Sequence, residues 1–174
     1  MPRFIFAAIA ALLIAPTLAQ AQSSEPMTQG RVLDILLALD PDAAPSGPGI
    51  ELTIEDVPLL VIVDPRSDRL RAMVPIRSTD DMSDDDLRRV LQANFDTALA
   101  ARYAVAQGRL WGTFLHPLSP LQRDELISEL GQTVNLALTY GTLFTSGALS
   151  FGGGDSPDLQ RDLINRLLEK GQDI

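Results

Sequence analysis

The groups in this chain that could do chemistry are few. His116 is the only histidine in 174 residues and there is no cysteine, so thiol nucleophiles, disulfides and thiolate metal sites are absent together. A serine hydrolase would have to use His116 as its base. That residue closes an apolar run directly before Pro117, and no Gly-x-Ser-x-Gly sequence presents a nucleophile. Zinc usually draws on Cys and His, so a zinc site is not expected either. The run Asp80-Asp81-Met82-Ser83-Asp84-Asp85-Asp86 is rich in carboxylates but lacks the glycine, the alternating ligand order and the distal Glu of an EF-hand loop. Ser83 with Asp86 instead reads as a capping box, with further acids favoured by the dipole of a first helical turn. Gly152-Gly153-Gly154 is not followed by Lys-Ser or Lys-Thr and is no P-loop. Spacing leaves paired carboxylates for glycoside chemistry open, without the aromatic platform that sugars use. The expectation is a protein that is not an enzyme, with no catalytic residue, cofactor or metal.

Composition bounds the rest. Arg3, the uncharged run from Phe4 to Ile14, Pro16 and Ala19-Gln20-Ala21 form a secretory signal peptide over residues 1–21. Its apolar run is too short to span a ~30 Å hydrocarbon core. Removing it leaves 23 acidic against 13 basic residues, a charge of −10. Nucleic acid and anionic membrane surfaces reward Lys and Arg, so neither is an expected partner, and no membrane insertion is expected after cleavage. Without a cysteine there is no lipoprotein anchor. The expected location is the periplasm, as a soluble exported protein.

The elements follow from periodicity. Thr28 caps a helix that runs to about Asp40, where Pro41 stops it. Val32, Leu33, Ile35, Leu36, Leu37 and Leu39 spread over roughly 200° of arc, wider than the ~100° stripe of a single docking face. Leu33 and Leu37 are the surplus, and they are the candidate partner-binding residues; the plainer reading buries them within the domain. Residues 41–49 read as a Pro- and Gly-rich loop. Ile50 to Glu55 alternate, Leu59 to Val63 form a continuous apolar run, and Leu70 to Ile76 alternate again, which predicts an antiparallel meander of three strands. A second helix continues from Ser83 through Leu87, Val90, Leu91, Asn94, Phe95 and Ala98.

Tyr103 and Val105, a turn at Ala106-Gln107-Gly108, and Leu110 to His116 form a hairpin. Its second strand carries Leu110 and Phe114 on one face and Trp111 and Leu115 on the other, so it needs covering on both sides. Its own helices supply one cover; a second subunit or a bound peptide can supply the other. Ser119 as N-cap and Pro120 at the first helical position start the longest helix, with Gly141 beyond its end. Its apolar stripe is Leu126, Ile127, Leu130, Val134, Ala137 and Leu138. Residues 22–147 therefore read as one α+β domain with an antiparallel sheet in the order α-β-β-β-α-β-β-α. Residues 148–155 form a Gly-rich linker, and residues 156–174 an extra C-terminal amphipathic helix that docks on its own domain or on a neighbour.

This order, together with Ala93-Asn94-Phe95, Arg109-Leu110-Trp111-Gly112-Thr113-Phe114-Leu115-His116-Pro117-Leu118 and Ser146-Gly147, resembles the type III secretion chaperones of the Tir-chaperone class and the YbjN-like family. The resemblance covers roughly Met27 to Gly147. It implies a homodimeric α+β domain without enzymatic activity that holds an unfolded client segment against apolar grooves. Those chaperones are cytoplasmic, whereas this chain carries an export signal. The expected function is a periplasmic, chaperone-like binding protein that engages a protein segment, working as a dimer; the alternative is a structural or assembly subunit of a cell-envelope complex.

Overall fold

Thr28 starts the first helix as its sequence predicts: extended at its own backbone, it accepts the Arg31 N–H at 3.3 Å, and α1 runs Gln29–Leu39. Asp40, before Pro41, is driven out of helical geometry. Its carboxylate accepts the N–H groups of Asp42 and Thr53, at 3.0 and 2.7 Å, and so ties the end of α1 to the sheet. The computed structural model describes residues 25–96, 100–140 and 157–173. The stretches read as a signal peptide and a linker, Gly141 and Ser146-Gly147 lie outside them.

The sheet has six antiparallel strands rather than five, in the order β1-β2-β3-β4-β6-β5. The additional strand is β1, Ala44–Ser46, inside the stretch read as a loop. An edge strand bonds on one side only, so Pro45 can pair with Ile50 without a missing N–H being felt. β2 (Gly49–Ile54), β3 (Val57–Asp64) and β4 (Arg69–Ser78) form the expected meander. The β2–β3 turn places Glu55 and Asp56 at φ of +50° and +62°, the geometry of a two-residue primed hairpin. β5 (Arg102–Ala106) and β6 (Arg109–Pro117) form the second hairpin around Gln107 and Gly108, both at positive φ.

α2, Asp84–Asp96, opens on the expected capping box: Ser83 Oγ accepts the Asp86 N–H at 3.2 Å, and Asp86 Oδ2 accepts from the Ser83 N–H at 3.1 Å. α3, Arg123–Leu138, begins later than expected. Ser119 does not cap it, because its N–H and hydroxyl both donate to Asp68, at 2.7 and 3.0 Å. Gln122 takes the N-cap position, with its N–H on Glu125 Oε2 at 3.3 Å. The buried arc of α3 is also wider than one stripe, since Asn135 and Leu136 are buried while Leu138 is half exposed.

α4, Pro157–Lys170, packs on its own domain, followed by a 3-10 turn at Gly171–Asp173. Leu163 and Leu167 are each 3% exposed. Burial of a leucine is worth roughly 1.5 to 3 kcal/mol, enough to hold a helix that is marginal alone in water. Gly131 of α3 gives them room: a Cβ there would lie 3.0 Å from Ile164 and 3.2 Å from Leu167. Arg166 adds an ion pair to Glu55 at 2.9 Å.

α1, α3 and α4 cover the inward residues of β2, β3, β4 and β6, including Leu52, Leu59, Val61, Leu70, Val74 and Phe114. α2 closes the β5 end of the same face through Val90 and Ala93 against Tyr103, Leu110 and Leu136. The closest approach is at Gly112, where a Cβ would meet Val74 Cγ2 at 2.9 Å and the Thr133 carbonyl at 3.2 Å. Gly112→Ala should therefore push α3 off β6 and cost about 1 to 3 kcal/mol. A urea titration should show a lower midpoint with an unchanged slope; an unchanged midpoint would mean the contact is loose.

Candidate functional site

Strand pairing decides what stands on the sheet face opposite the helices. Ile62 pairs with Arg71 and Arg71 with Leu115, so those three form one lateral row. Leu60, Met73 and Thr113 form the next, and Pro75, Trp111 and Ala104 the one after. Asp64, Arg69 and Pro117 bound the other end. Leu60, Ile62, Met73 and Trp111 are half-buried and Leu115 is 56% exposed, so this face keeps an apolar band that no described helix covers. Trp111 is held in place by its indole N–H on the Ala106 carbonyl at 3.1 Å, with the Arg109 guanidinium 5.9 Å from its ring centre.

At one end of the band lies an open hollow of about 360 Å³ between Ile62, Asp64, Ser67, Arg69, Arg71 and Leu115. The Asp64 carboxylate is committed to its turn, accepting the N–H groups of Arg66 and Ser67 at 3.0 and 3.2 Å. Hydrogen bonds from the Ser67 hydroxyl and backbone hold it below the usual carboxylate range. Arg69 donates to the neighbouring Asp68 carbonyl at 3.0 Å. No described carboxylate pairs with either Arg69 or Arg71.

The edges of the sheet are guarded. The Asn94 side chain accepts the Tyr103 N–H at 2.7 Å and donates to the Tyr103 carbonyl at 2.9 Å, filling the outward bonds of β5 at that residue. β1 is three residues long and contains Pro45. Short, Pro-bearing or side-chain-capped edges resist strand addition. Asn94→Ala should leave the Tyr103 groups unsatisfied, at about 1 to 3 kcal/mol, and raise light scattering on storage; a variant as stable as the parent would show that water replaces the amide.

Leu33 and Leu37 are 36% and 39% exposed, not sealed within the domain as the plainer reading of the arc has it. They sit in the helical layer, since Val32, Ile35, Leu36 and Leu39 of the same helix enter the core beneath it. They are therefore not gathered with Trp111 and Leu115. Leu91 and Phe95, one turn apart on α2, are 67% and 79% exposed. The sequence carried a signal for Trp111 and Leu115 through strand alternation. Leu60 and Ile62 were masked by a continuous apolar run, and Arg71 gained meaning only from its register between Ile62 and Leu115.

His116 stacks on Phe114 with ring centres 5.7 Å apart, and its Nδ1 donates to the Pro117 carbonyl at 2.7 Å. Its Nε2 is 3.8 Å from Glu125 Oε1. Nearby Glu129 has one buried carboxyl oxygen without a hydrogen-bond partner. Burial first, and the charge of Glu125 second, push its carboxyl up to about 7 against an opposing effect of His116. The described residues bring no three His, Asp or Glu side chains together as a metal site. The folded state holds a proton on Glu129 that the unfolded chain, at an ordinary carboxylate value of 4.5, has released. Stability should thus fall as pH rises from about 4.5 to about 7. Glu129→Gln should match the parent in urea midpoint near the bottom of that window and exceed it above; parallel midpoint-against-pH curves would show that Glu129 is well solvated.

No protein-family model matches this chain, and no curated protein does either. Among solved structures the fold is similar to a chain of the HopA1-SchA chaperone-effector complex, with a TM-score of 0.47 and 13% identity over 63% of this chain and 91% of that one. It is also similar to a chain of the ExsC-ExsE complex, with a TM-score of 0.43 and 13% identity over 56% of this chain and 77% of that one. Each is a partial likeness of chain path, and the chemistry of the surface is set by this chain's own residues.

Proposed function

We propose that this chain is a non-enzymatic, chaperone-like binding protein that holds a segment of another polypeptide against apolar surface. The one-sided covering of the sheet by the described residues carries this reading: the four described helices pack on one face, while Leu60, Ile62, Met73, Trp111 and Leu115 stand on the other. Contiguous exposed apolar surface of this kind marks contact with a partner. Guarded edges favour a segment lying across the face, held by side chains, over one that extends the ladder. The signal-like leader at residues 1–21 supports the periplasm as its location. The alternative, an envelope assembly subunit, relied on the C-terminal helix docking on a neighbour, and its Leu163 and Leu167 are already buried at home.

Self-association belongs to the same reading. Leu91 and Phe95 are the most exposed large hydrophobic side chains among the described residues, and a second copy laid α2 against α2 covers both. Sedimentation should give a dimer for the parent and a monomer for Leu91→Ser with Phe95→Ser, at unchanged thermal stability. A parent that sediments as a monomer at all concentrations sinks the dimer.

Leu33 and Leu37 form a second contact for the partner on the helical side. Replacing both with Ser should weaken capture while changing stability by less than about 1 kcal/mol, as for surface positions; global unfolding would instead mark them as core. For the main face, a photo-crosslinking residue in place of Leu115 should yield a discrete adduct with another polypeptide in the periplasmic fraction. Recovery of the protein only from the cytoplasm would refute the location, and an adduct-free protein would refute the binding face.

A further inference from the structure

The hollow beside Leu115 gathers two arginines of one strand into its lining. Arg69 and Arg71 point to the same side of β4, about 7 Å apart along the strand by its rise per residue. Arg71 is flanked across the ladder by Ile62 and Leu115. The one carboxylate in the lining, Asp64, is engaged by the N–H groups of its own turn. In a chain with 23 acidic and 14 basic residues, two neighbouring arginines with no carboxylate partner among the described residues, set between aliphatic walls, are complementary to an anion with an apolar neighbour.

We propose that this hollow is a carboxylate-reading subsite, in which Arg71, with Arg69 beside it, pairs with an aspartate or glutamate side chain of the bound polypeptide. This rests on the polypeptide-binding reading and narrows it to a class of segment. In an extended chain, residues two apart face the same way. A carboxylate over Arg71 therefore brings a large aliphatic or aromatic side chain two positions away onto Ile62, Leu115 or the adjoining Met73. The planar guanidinium fork suits a carboxylate geometrically. An anionic bilayer or a nucleic acid is the poorer occupant, since a polyanion must approach a protein of formal charge −9 as a whole.

The test uses the full mature chain and short soluble peptides in which one glutamate stands two positions from a leucine, each with a glutamine twin. Binding is measured by fluorescence anisotropy. The glutamate peptide should bind roughly tenfold tighter than its twin, the size of one charge-assisted pair. Arg71→Gln should abolish that difference while the protein still binds the glutamine twin as the parent does, and circular dichroism should confirm that the variant is folded. Equal binding of both peptides by the parent, lost on Leu115→Ser, overturns the carboxylate subsite and leaves polypeptide binding standing. Binding of neither peptide overturns both. A crosslinker at position 115 that reacts only with residues 141–156 of the same chain makes the occupant internal and also overturns the proposal.

Discussion

The distance at which α3 lies over β6 is the constraint on which the rest of this structure depends. Gly112 sets it, because no side chain there could fit between Val74 and the Thr133 backbone. Once α3 is seated that low, Leu126, Ile127, Leu130 and Val134 are fully buried on the inner side of the sheet. α4 then has a platform, and Gly131 and Gly171 let it settle close: a Cβ at Gly171 would run into Ile127. The buried apolar stripes of the described helices are drawn to one side of the sheet. The strands, which alternate, still send half of their side chains to the other.

Guarding of the edges follows a different rule and has a different consequence. Backbone groups at a free edge invite another strand. Here an asparagine from α2 satisfies Tyr103 on one side, and a three-residue strand containing proline closes the other. A partner that meets this sheet is denied the main-chain ladder that would accept nearly any sequence. What remains is side-chain contact, which discriminates between sequences far more than backbone pairing does.

Much of the architecture was legible because its signals are local. Thr28 and the Ser83–Asp86 pair cap the helices they were expected to cap, and alternation located the meander and the hairpin. Where a residue's role depends on a distant partner, the local signal misleads. Ser119 has the composition of an N-cap, but Asp68, 51 residues away in sequence, claims its hydroxyl and amide. Prolines made residues 44–46 look like loop, when an edge strand needs bonds on only one side. The arc of α1 singles out Leu33 and Leu37 as surplus but leaves burial within the domain as the plainer reading, and it says nothing of which layer they face. The uncovered sheet face was half visible: Trp111 and Leu115 show in alternation, whereas the row Ile62, Arg71 and Leu115 exists only once three strands are in register.

On the proposed reading, the charge of the chain is what gives that row selectivity. Several other arginines are engaged with carboxylates or rings, Arg123 with Asp124, Arg166 with Glu55, and Arg77 and Arg109 over aromatic rings, whereas Arg69 meets only the Asp68 carbonyl and Arg71 pairs with no described carboxylate. At physiological ionic strength a charge is felt over roughly 8 Å. The excess of carboxylates therefore acts mainly on extended polyanions, which gather many small repulsions as they approach. A single carboxylate in an otherwise neutral, apolar segment escapes most of that repulsion and meets only the local field of Arg69 and Arg71. A greasy face in an acidic protein is thus restricted twice, by the edges to side-chain readout and by the field to segments whose negative charge is sparse.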